Sequence, residues 1–178
     1  MKKLCLLVLS CFMFSCATSQ EAKTEETKVN KAPEILIGKY KREALSKVPF
    51  DSWFVKNYES YLVDQKSIDT LNPLLKGVKV KIFMGTWCGD SKRETPRFYK
   101  IMDAAQVKEK NITLITMDRS KKTPDNFEEG LDITNVPTFI FYKNGKEVNR
   151  IVEYPIKSLE KDMITILSGQ EYKHAYAN

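Results

Sequence analysis

Cys88 is the residue of this chain best suited to nucleophilic chemistry. It lies in the segment TWCGDS, residues 86–91, between an apolar strand-like stretch and a helix-like stretch. A cysteine at that junction stands at a helix N-terminus, where free N–H groups and the helix dipole stabilise a thiolate and make the sulfur reactive. The alternative is a buried structural cysteine that behaves as a small hydrophobic residue. The polar neighbours favour the reactive interpretation.

The charges that follow Cys88 act on it in opposite directions. The carboxylate of Asp90 suits a helix N-terminus, where it contributes ~0.3–1 kcal/mol, but it also opposes a neighbouring thiolate. Lys92 and Arg93 can offset that charge. We therefore interpret Asp90 mainly as a helix-start residue and Glu94 as a solvated helix residue, and the ionisation balance of Cys88 stays open.

Three separated motifs resemble the thioredoxin superfamily. Residues 87–91 (WCGDS) are similar to its W-C-G-P-C motif, and Pro96, eight residues after the cysteine, matches the proline that kinks the active-site helix. Residues 136–138 (VPT), followed by FIFYKNGK, are similar to the family's cis-proline segment and the hairpin after it. The resemblance covers residues 78–168. The whole chain also resembles thioredoxin-like lipoproteins of Bacteroidetes-type bacteria.

This resemblance implies an α/β thioredoxin fold, with a central mixed sheet of about four to five strands flanked by helices and an N-terminal helical extension. It implies Cys88 as the catalytic nucleophile within a motif completed by Trp87, Gly89, Asp90 and Ser91. A cis bond before Pro137 would place the backbone of Val136 beside Cys88, as an edge on which an extended peptide can pair. Val136, Pro137 and Thr138 are therefore expected to form the substrate groove, with Trp87 as its apolar shoulder.

Two departures from the family pattern limit the chemistry. Ser91 stands where the family has its second cysteine, which resolves the mixed disulfide by attacking it. Ile82 stands where many thioredoxins have a buried acid that assists proton transfer at the resolving thiol. The chain is therefore not built for the ordinary cycle with two cysteines.

The N-terminal residues are expected to be a targeting segment rather than part of the fold. Met1-Lys2-Lys3 precedes an apolar run over residues 4–15, which is too short to cross a bilayer. Residues 1–15 therefore resemble a lipoprotein signal peptide, with Cys16 as the lipidated residue and residues 16–32 as a flexible tether. Simpler alternatives are a signal peptide cut nearby, an anchor left in place, or lipidation of Cys11. The protein is then exported and lipid-anchored on the periplasmic side of the envelope, with the outer membrane favoured.

Composition excludes several other classes of function. The chain has 178 residues, 42% of them hydrophobic and 29% charged, which suits one domain with a real core. A formal net charge of +6 without a basic cluster that includes aromatic residues gives no reason to expect nucleic-acid binding. His174, in a polar tail and expected to be exposed, is the only histidine, which argues against a His/Cys zinc site or a Ser-His-Asp triad. We expect no metal and no cofactor.

Hydrophobic periodicity and turn residues predict the elements that position the motifs. The first half is predicted to contain a strand within 34–41, helices over 51–61 and 67–75, a strand over 78–84 and a helix over 89–108. A strand over 112–117 and a short helix over 123–129 follow. Strands over 138–142 and 147–152 are joined by an Asn144-Gly145 hairpin, and a last helix is capped by Ser158 and ended by Gly169. We divide the chain into a leader and tether, an extension over 33–77, a core over 78–170 and a tail over 171–178.

Three functional hypotheses follow. The leading one is a membrane-tethered protein in which Cys88 exchanges disulfides with protein thiols as a single nucleophile, of the oxidoreductase or isomerase type. The second is a redox-inactive module that binds an extended peptide or a partner protein in the same groove. The third is a sensor in which Cys88 is oxidised to a sulfenic acid.

Overall fold

The computed structural model describes residues 34–177, and the predictions for the signal peptide, Cys16 and the tether lie outside this range. Five strands form one mixed sheet in the order β1-β3-β2-β4-β5. The strands are β1 (Gly38–Tyr40), β2 (Val78–Met84), β3 (Ile112–Thr116), β4 (Thr138–Lys143) and β5 (Lys146–Val152). β2 and β3 are parallel, and the other three neighbouring pairs are antiparallel. The expectation of an α/β fold with a mixed sheet of about four to five strands is confirmed.

Four helices accompany the sheet: α1 (Asp51–Ser60), α2 (Gln65–Leu74), α3 (Gly89–Ala104) and α4 (Leu159–Leu167). Helix α1 packs on α3 and α2 packs on α4. Short 3-10 turns lie at Arg42–Ala44 and Glu109–Asn111. None of the helices within residues 34–177 has both the length and the apolar character needed to cross a bilayer.

The side chains of the sheet alternate between two buried clusters. Ile82 and Phe139 belong to the larger cluster, where all four helices contribute and where Phe98 of α3 stacks on Phe139 with ring centroids 4.6 Å apart. Phe83 and Ile140 point to the other face, because successive side chains of a strand alternate. This second face carries the smaller cluster, on which Trp87 and Cys88 pack.

A loop between β3 and β4, residues 117–137, covers the second face where a helix over 123–129 was expected. That prediction is wrong. The Thr123 hydroxyl accepts from the Phe127 N–H and donates to Glu128, which closes a single turn. Asn126 has a φ of 52° and Gly130 a φ of 70°, and these left-handed residues prevent the turn from continuing as a helix.

The ends of two helices differ by a few residues from those predicted from the sequence. Helix α2 begins before Ser67 rather than at it, because Asp64 occupies the N-cap position and accepts a hydrogen bond from the Ser67 hydroxyl at 2.6 Å. Helix α3 ends at Ala104 instead of Lys108, since Gln106 has a φ of 55°.

The hairpin and the last helix are confirmed as predicted. Asn144 and Gly145 have φ values of 53° and 78°, as a two-residue turn between antiparallel strands requires. The Ser158 side chain accepts from the Lys161 N–H at the start of α4, and Gly169, with a φ of 77°, follows its end.

The last residues pack against the domain rather than extending from it. The Tyr172 hydroxyl donates to Asp162 at 3.0 Å, and its carbonyl accepts from the Asn149 amide. His174 is half-buried, contrary to the expectation of an exposed side chain, and its Nδ1 accepts from the Tyr176 N–H. Burial, followed by the nearby Arg150 charge, lowers the pKa of His174 below its usual value.

Candidate active site

Cys88 is the N-cap residue of α3. Its backbone is extended, with φ −85° and ψ 131°, and the helix begins at the next residue. The Cys88 N–H donates to the Gly85 carbonyl at 2.9 Å, and the Cys88 carbonyl accepts from the Lys92 N–H at 3.0 Å. The side chain is half-buried, so the sulfur lies at the N-terminus of a helix of sixteen residues while keeping a path to solvent.

The thiol of Cys88 meets the segment that contains Pro137. The peptide bond between Val136 and Pro137 is cis. The Cys88 thiol donates a hydrogen bond to the Val136 carbonyl with an Sγ–O distance of 3.1 Å. Residues 48 apart in the chain are thereby joined at the carboxyl end of β2.

The side chains of the expected substrate groove are buried. Val136 is 3% exposed and Thr138 is 2% exposed, and the Thr138 hydroxyl donates to the Asn135 carbonyl at 2.6 Å. The Pro137 carbonyl accepts from the Glu153 N–H at 2.7 Å, which holds this segment to the end of β5. A ligand at this place therefore meets backbone groups more than side chains.

Ser91 is fully buried and serves the structure of the turn. Its hydroxyl oxygen accepts a hydrogen bond from the Gly85 N–H at 3.2 Å, which ties the first turn of α3 to the end of β2. Within residues 34–177, Cys88 is the only cysteine, so no second thiol accompanies it there. Ile82 is also fully buried, between Leu114 and Phe139 of the neighbouring strands.

Trp87 forms a half-buried wall beside the thiol. Its indole N–H donates to the Met117 carbonyl at 2.9 Å, which fixes the ring against the loop after β3. The ring also covers Gly85, where an added Cβ would lie 2.5 Å from Trp87 Cε2. Only glycine therefore fits under the ring. The guanidinium carbon of Arg119 lies 5.3 Å from the ring centroid.

The carboxylate of Asp90 is paired with Arg93 at 2.5 Å. Arg93 also bonds Glu94 at 2.6 Å, and Arg97 reaches the same carboxylate at 3.3 Å. Partial burial lowers the pKa of Arg93, but its hydrogen bonds to Glu94 and Asp90 raise it above the usual value. The negative charge nearest in sequence to Cys88 is thus held by a cation.

Glu94 is 3% exposed, so its interpretation as a solvated helix residue is wrong. Its position next to two arginines explains the burial, because a buried carboxylate needs such partners. The sequence signal for it was the pair Arg93 and Arg97, one and three residues away on the same helix. Among the described residues, no group of three or more histidine, cysteine or acidic side chains is placed to hold a metal ion.

Sequence comparison identifies relatives of this domain. The family model described as Thioredoxin matches residues 72–165. A thioredoxin of Chlamydia pneumoniae is 25% identical over 103 residues, which cover 58% of this chain and 93% of that protein. A thioredoxin of Malassezia sympodialis is 30% identical over 88 residues, which cover 48% and 80% of the two chains.

Other relatives are matched over a smaller share of their length. The chain spans 62% of a thioredoxin-like protein of Acanthamoeba polyphaga mimivirus, at 28% identity and over 50% of its own residues.

The fold is similar to that of a protein of unknown function from Pseudomonas aeruginosa, with a TM-score of 0.56 and 14% identity, over 75% of this chain and 93% of the other.

Proposed function

Because the chain belongs to the thioredoxin family and has its fold, we propose that it exchanges thiols and disulfides through Cys88 as a single nucleophile. The observation that carries the proposal is the placement of the Cys88 sulfur at the start of α3, half-exposed and 3.1 Å from the Val136 carbonyl. A helix N-terminus favours the thiolate, which is the attacking form of cysteine.

The first step forms a mixed disulfide. The Cys88 thiolate attacks one sulfur of a substrate disulfide, so that a bond forms between the two sulfurs, the substrate disulfide breaks and the other substrate sulfur leaves as a thiolate. Trp87 supplies an apolar wall for the substrate. The backbone beside Val136 offers an edge for an extended peptide.

The second step differs from that of a two-cysteine enzyme. Ser91 offers a buried hydroxyl that is engaged by Gly85 and is no thiol, so it does not resolve the mixed disulfide. A second substrate thiolate instead attacks the substrate sulfur, forms a new substrate disulfide and restores the Cys88 thiolate. The substrate keeps its number of thiols and disulfides, so the outcome is isomerisation. Protein thiols and disulfides are the partners.

The same proposal places the protein at the bacterial envelope. Residues 1–15 act as a signal peptide, Cys16 is lipidated, and residues 17–32 tether the domain on the periplasmic side, as in thioredoxin-like lipoproteins of Bacteroidetes-type bacteria. Its support is the sequence pattern of two lysines, an apolar run and a cysteine. Disulfide chemistry suits this compartment, which is oxidising. Loss of membrane association in Cys16→Ala tests this part of the proposal.

The decisive experiment captures mixed disulfides on the full-length protein in native envelopes. Free thiols are blocked with N-ethylmaleimide, proteins are separated without reductant, and the adducts are identified by mass spectrometry after reduction. We expect adducts with wild-type protein and none with Cys88→Ala. An intact wild-type protein that forms no adducts, and whose thiol is alkylated no faster than that of 2-mercaptoethanol, contradicts thiol exchange.

A second candidate function is a redox-inactive module that binds an extended peptide. The observation in its favour is the buried Ser91, which leaves Cys88 without a second thiol in residues 34–177. Co-purification of the Cys88→Ala variant separates the two functions. Partners that stay bound to this variant support the binding module, whereas partners lost together with the thiol support exchange.

A further inference from the structure

The loop between β3 and β4 places a cation beside the active-site tryptophan. Arg119 is exposed, and its guanidinium carbon lies 5.3 Å from the centroid of the Trp87 ring. The ring itself is fixed by its hydrogen bond to Met117, two residues before Arg119. Since Trp87 directly precedes Cys88, the cation lies next to the wall along which a substrate approaches the sulfur.

Four carboxylates of this region are engaged. Asp90 is paired with Arg93, and Glu94 is buried between two arginines. Asp118 accepts the Lys122 N–H at 2.9 Å. Glu128 of the same loop is 6% exposed and accepts from the Thr123 hydroxyl. These four negative charges are held by groups of the protein itself, whereas Asp125, Glu129 and Asp132, later in the same loop, form no ion pair among the described residues.

Several cations of the same region have no such partner. Within the described part of the chain, Arg119, Lys121 and Lys92 form no ion pair. Lys92 lies one helical turn after Cys88, to whose carbonyl its N–H is bonded. Arg119 against Trp87 and Lys92 in the first turn of α3 thus carry positive charge without an ion-pair partner, and such charge attracts negatively charged groups.

We propose that this surface selects protein or peptide substrates that carry carboxylates next to the reacting cysteine, with Arg119 as the specificity-determining residue. The inference rests on the proposed thiol exchange and adds its substrate class. Arg119 suits this role because a guanidinium presents planar donors that match a carboxylate and also stacks on aromatic rings. Its contact holds the charge against the ring of Trp87, the residue that directly precedes Cys88.

The test uses two short peptides that differ only in charge. Each has one cysteine activated as a 2-pyridyl disulfide, flanked by aspartates in one peptide and by asparagines in the other. Attack by Cys88 on the peptide sulfur forms the protein–peptide disulfide and releases 2-thiopyridone, which is followed by absorbance. The ratio of the two rate constants is divided by the same ratio for 2-mercaptoethanol, so that the intrinsic reactivity of the peptides cancels.

We expect wild-type protein to prefer the aspartate peptide by about two- to fivefold, as for one exposed ion pair, and less at high salt. Arg119→Gln should abolish the preference, and Arg119→Lys should keep part of it. Lys146→Gln is the charge-matched control, because Lys146 is exposed at the β4–β5 hairpin, at the other end of the sheet. Because each ratio is taken within one variant, a difference in the concentration of reactive protein cancels from it.

Two results overturn the inference in distinguishable ways. A ratio near one for wild-type protein, or a preference that survives in Arg119→Gln, removes the selectivity while thiol exchange stands. If wild-type protein reacts with neither peptide faster than 2-mercaptoethanol does, thiol exchange itself fails and the selectivity fails with it.

Discussion

The hydroxyl oxygen of Ser91 accepts a hydrogen bond from the Gly85 N–H, so the position of the family's second cysteine is used to join α3 to β2. Ser91→Cys should convert the site into a two-thiol site, because the new thiol stands one helical turn from Cys88 and can attack its sulfur in a mixed disulfide. We expect an intramolecular disulfide after mild oxidation, seen by mass spectrometry, and far fewer captured substrate adducts.

Ser91→Ala is the matched control for that variant. It supplies no thiol and should retain the substrate adducts. It leaves the buried Gly85 N–H without its acceptor, which we expect to lower the free energy of unfolding by about 1–3 kcal/mol in urea denaturation. If Ser91→Cys keeps the same level of adducts as Ser91→Ala and forms no internal disulfide, the proposed role of the missing thiol is wrong.

The close approach of Trp87 to Gly85 predicts an asymmetric response to two glycine substitutions. Gly85→Ala places a Cβ 2.5 Å from the indole ring, so the ring must move and we expect a loss of about 1–3 kcal/mol. Gly89→Ala meets no atom within 4 Å and should unfold at nearly the wild-type urea concentration. In a Trp53→Phe background, the fluorescence of Trp87 should change only in Gly85→Ala. Equal effects of the two substitutions would show that the ring is free to move.

The ion pair between Asp90 and Arg93 predicts a charge effect on the thiol. Arg93→Gln leaves the Asp90 carboxylate without its cation close to Cys88, so alkylation by iodoacetamide at neutral pH should slow by about two- to fivefold, as expected for one exposed pair. Asp90→Asn in the same background should restore the rate.

Arg97→Gln is the control for this effect, because Arg97 bonds Glu94 but not Asp90. Arg97→Gln should change the stability, but adding Asp90→Asn to it should not restore the rate of alkylation. A rate that is unaffected by Arg93→Gln would mean that the Asp90 charge does not reach the sulfur.

Three tyrosines predict a loss of stability at high pH. Burial, followed by hydrogen bonding to Glu160, raises the pKa of Tyr61, while burial and the charge of Asp162 raise that of Tyr172. Burial also raises the pKa of Tyr99. The unfolded chain releases these protons near pH ~10, whereas the folded chain retains them, so the contribution of these tyrosines to stability is fully present below about pH 10 and is lost above it.

Urea denaturation over the range from about pH 8 to about pH 11 measures this slope. Tyr172→Phe should reduce the slope, because one proton fewer is released on unfolding. Tyr154→Phe, at an exposed tyrosine, should leave it unchanged. A slope that is the same in both variants excludes Tyr172 as a contributor.

Strands and motifs were predictable from sequence because their signals are local. The pattern over 78–84, which alternates and then turns wholly apolar, predicted the bounds of β2, and Asn144-Gly145 located the hairpin from turn chemistry alone. The expected neighbours Cys88, Val136 and Pro137 came from the family resemblance, and the structure brings them together. No local pattern links residues so far apart in the chain.

What could not be predicted depends on contacts across the fold. The loop over 117–137 has helix-forming residues, yet left-handed backbone at Asn126 and packing on the second face decide its form. Glu94 is charged and lies on a helix, so burial by its two arginines was not evident from its residue type. Likewise, the position of Arg119 near the site is seen only from its contact with Trp87, 32 positions earlier in the chain.

The cover over the second face of the sheet is an irregular loop, so the charge that it presents and the position of Cys88 can change independently. A helix in the same place would couple the two. Adding a residue to a helix rotates every later side chain by about 100°, whereas a loop of turns accepts a change of length at small entropic cost. Residues 118–122, which bear Arg119, can therefore be exchanged for a segment of another charge while Met117 and Val136 keep their contacts with Trp87 and Cys88. Changing which substrates the protein prefers thus requires replacement of part of a loop rather than redesign of the core.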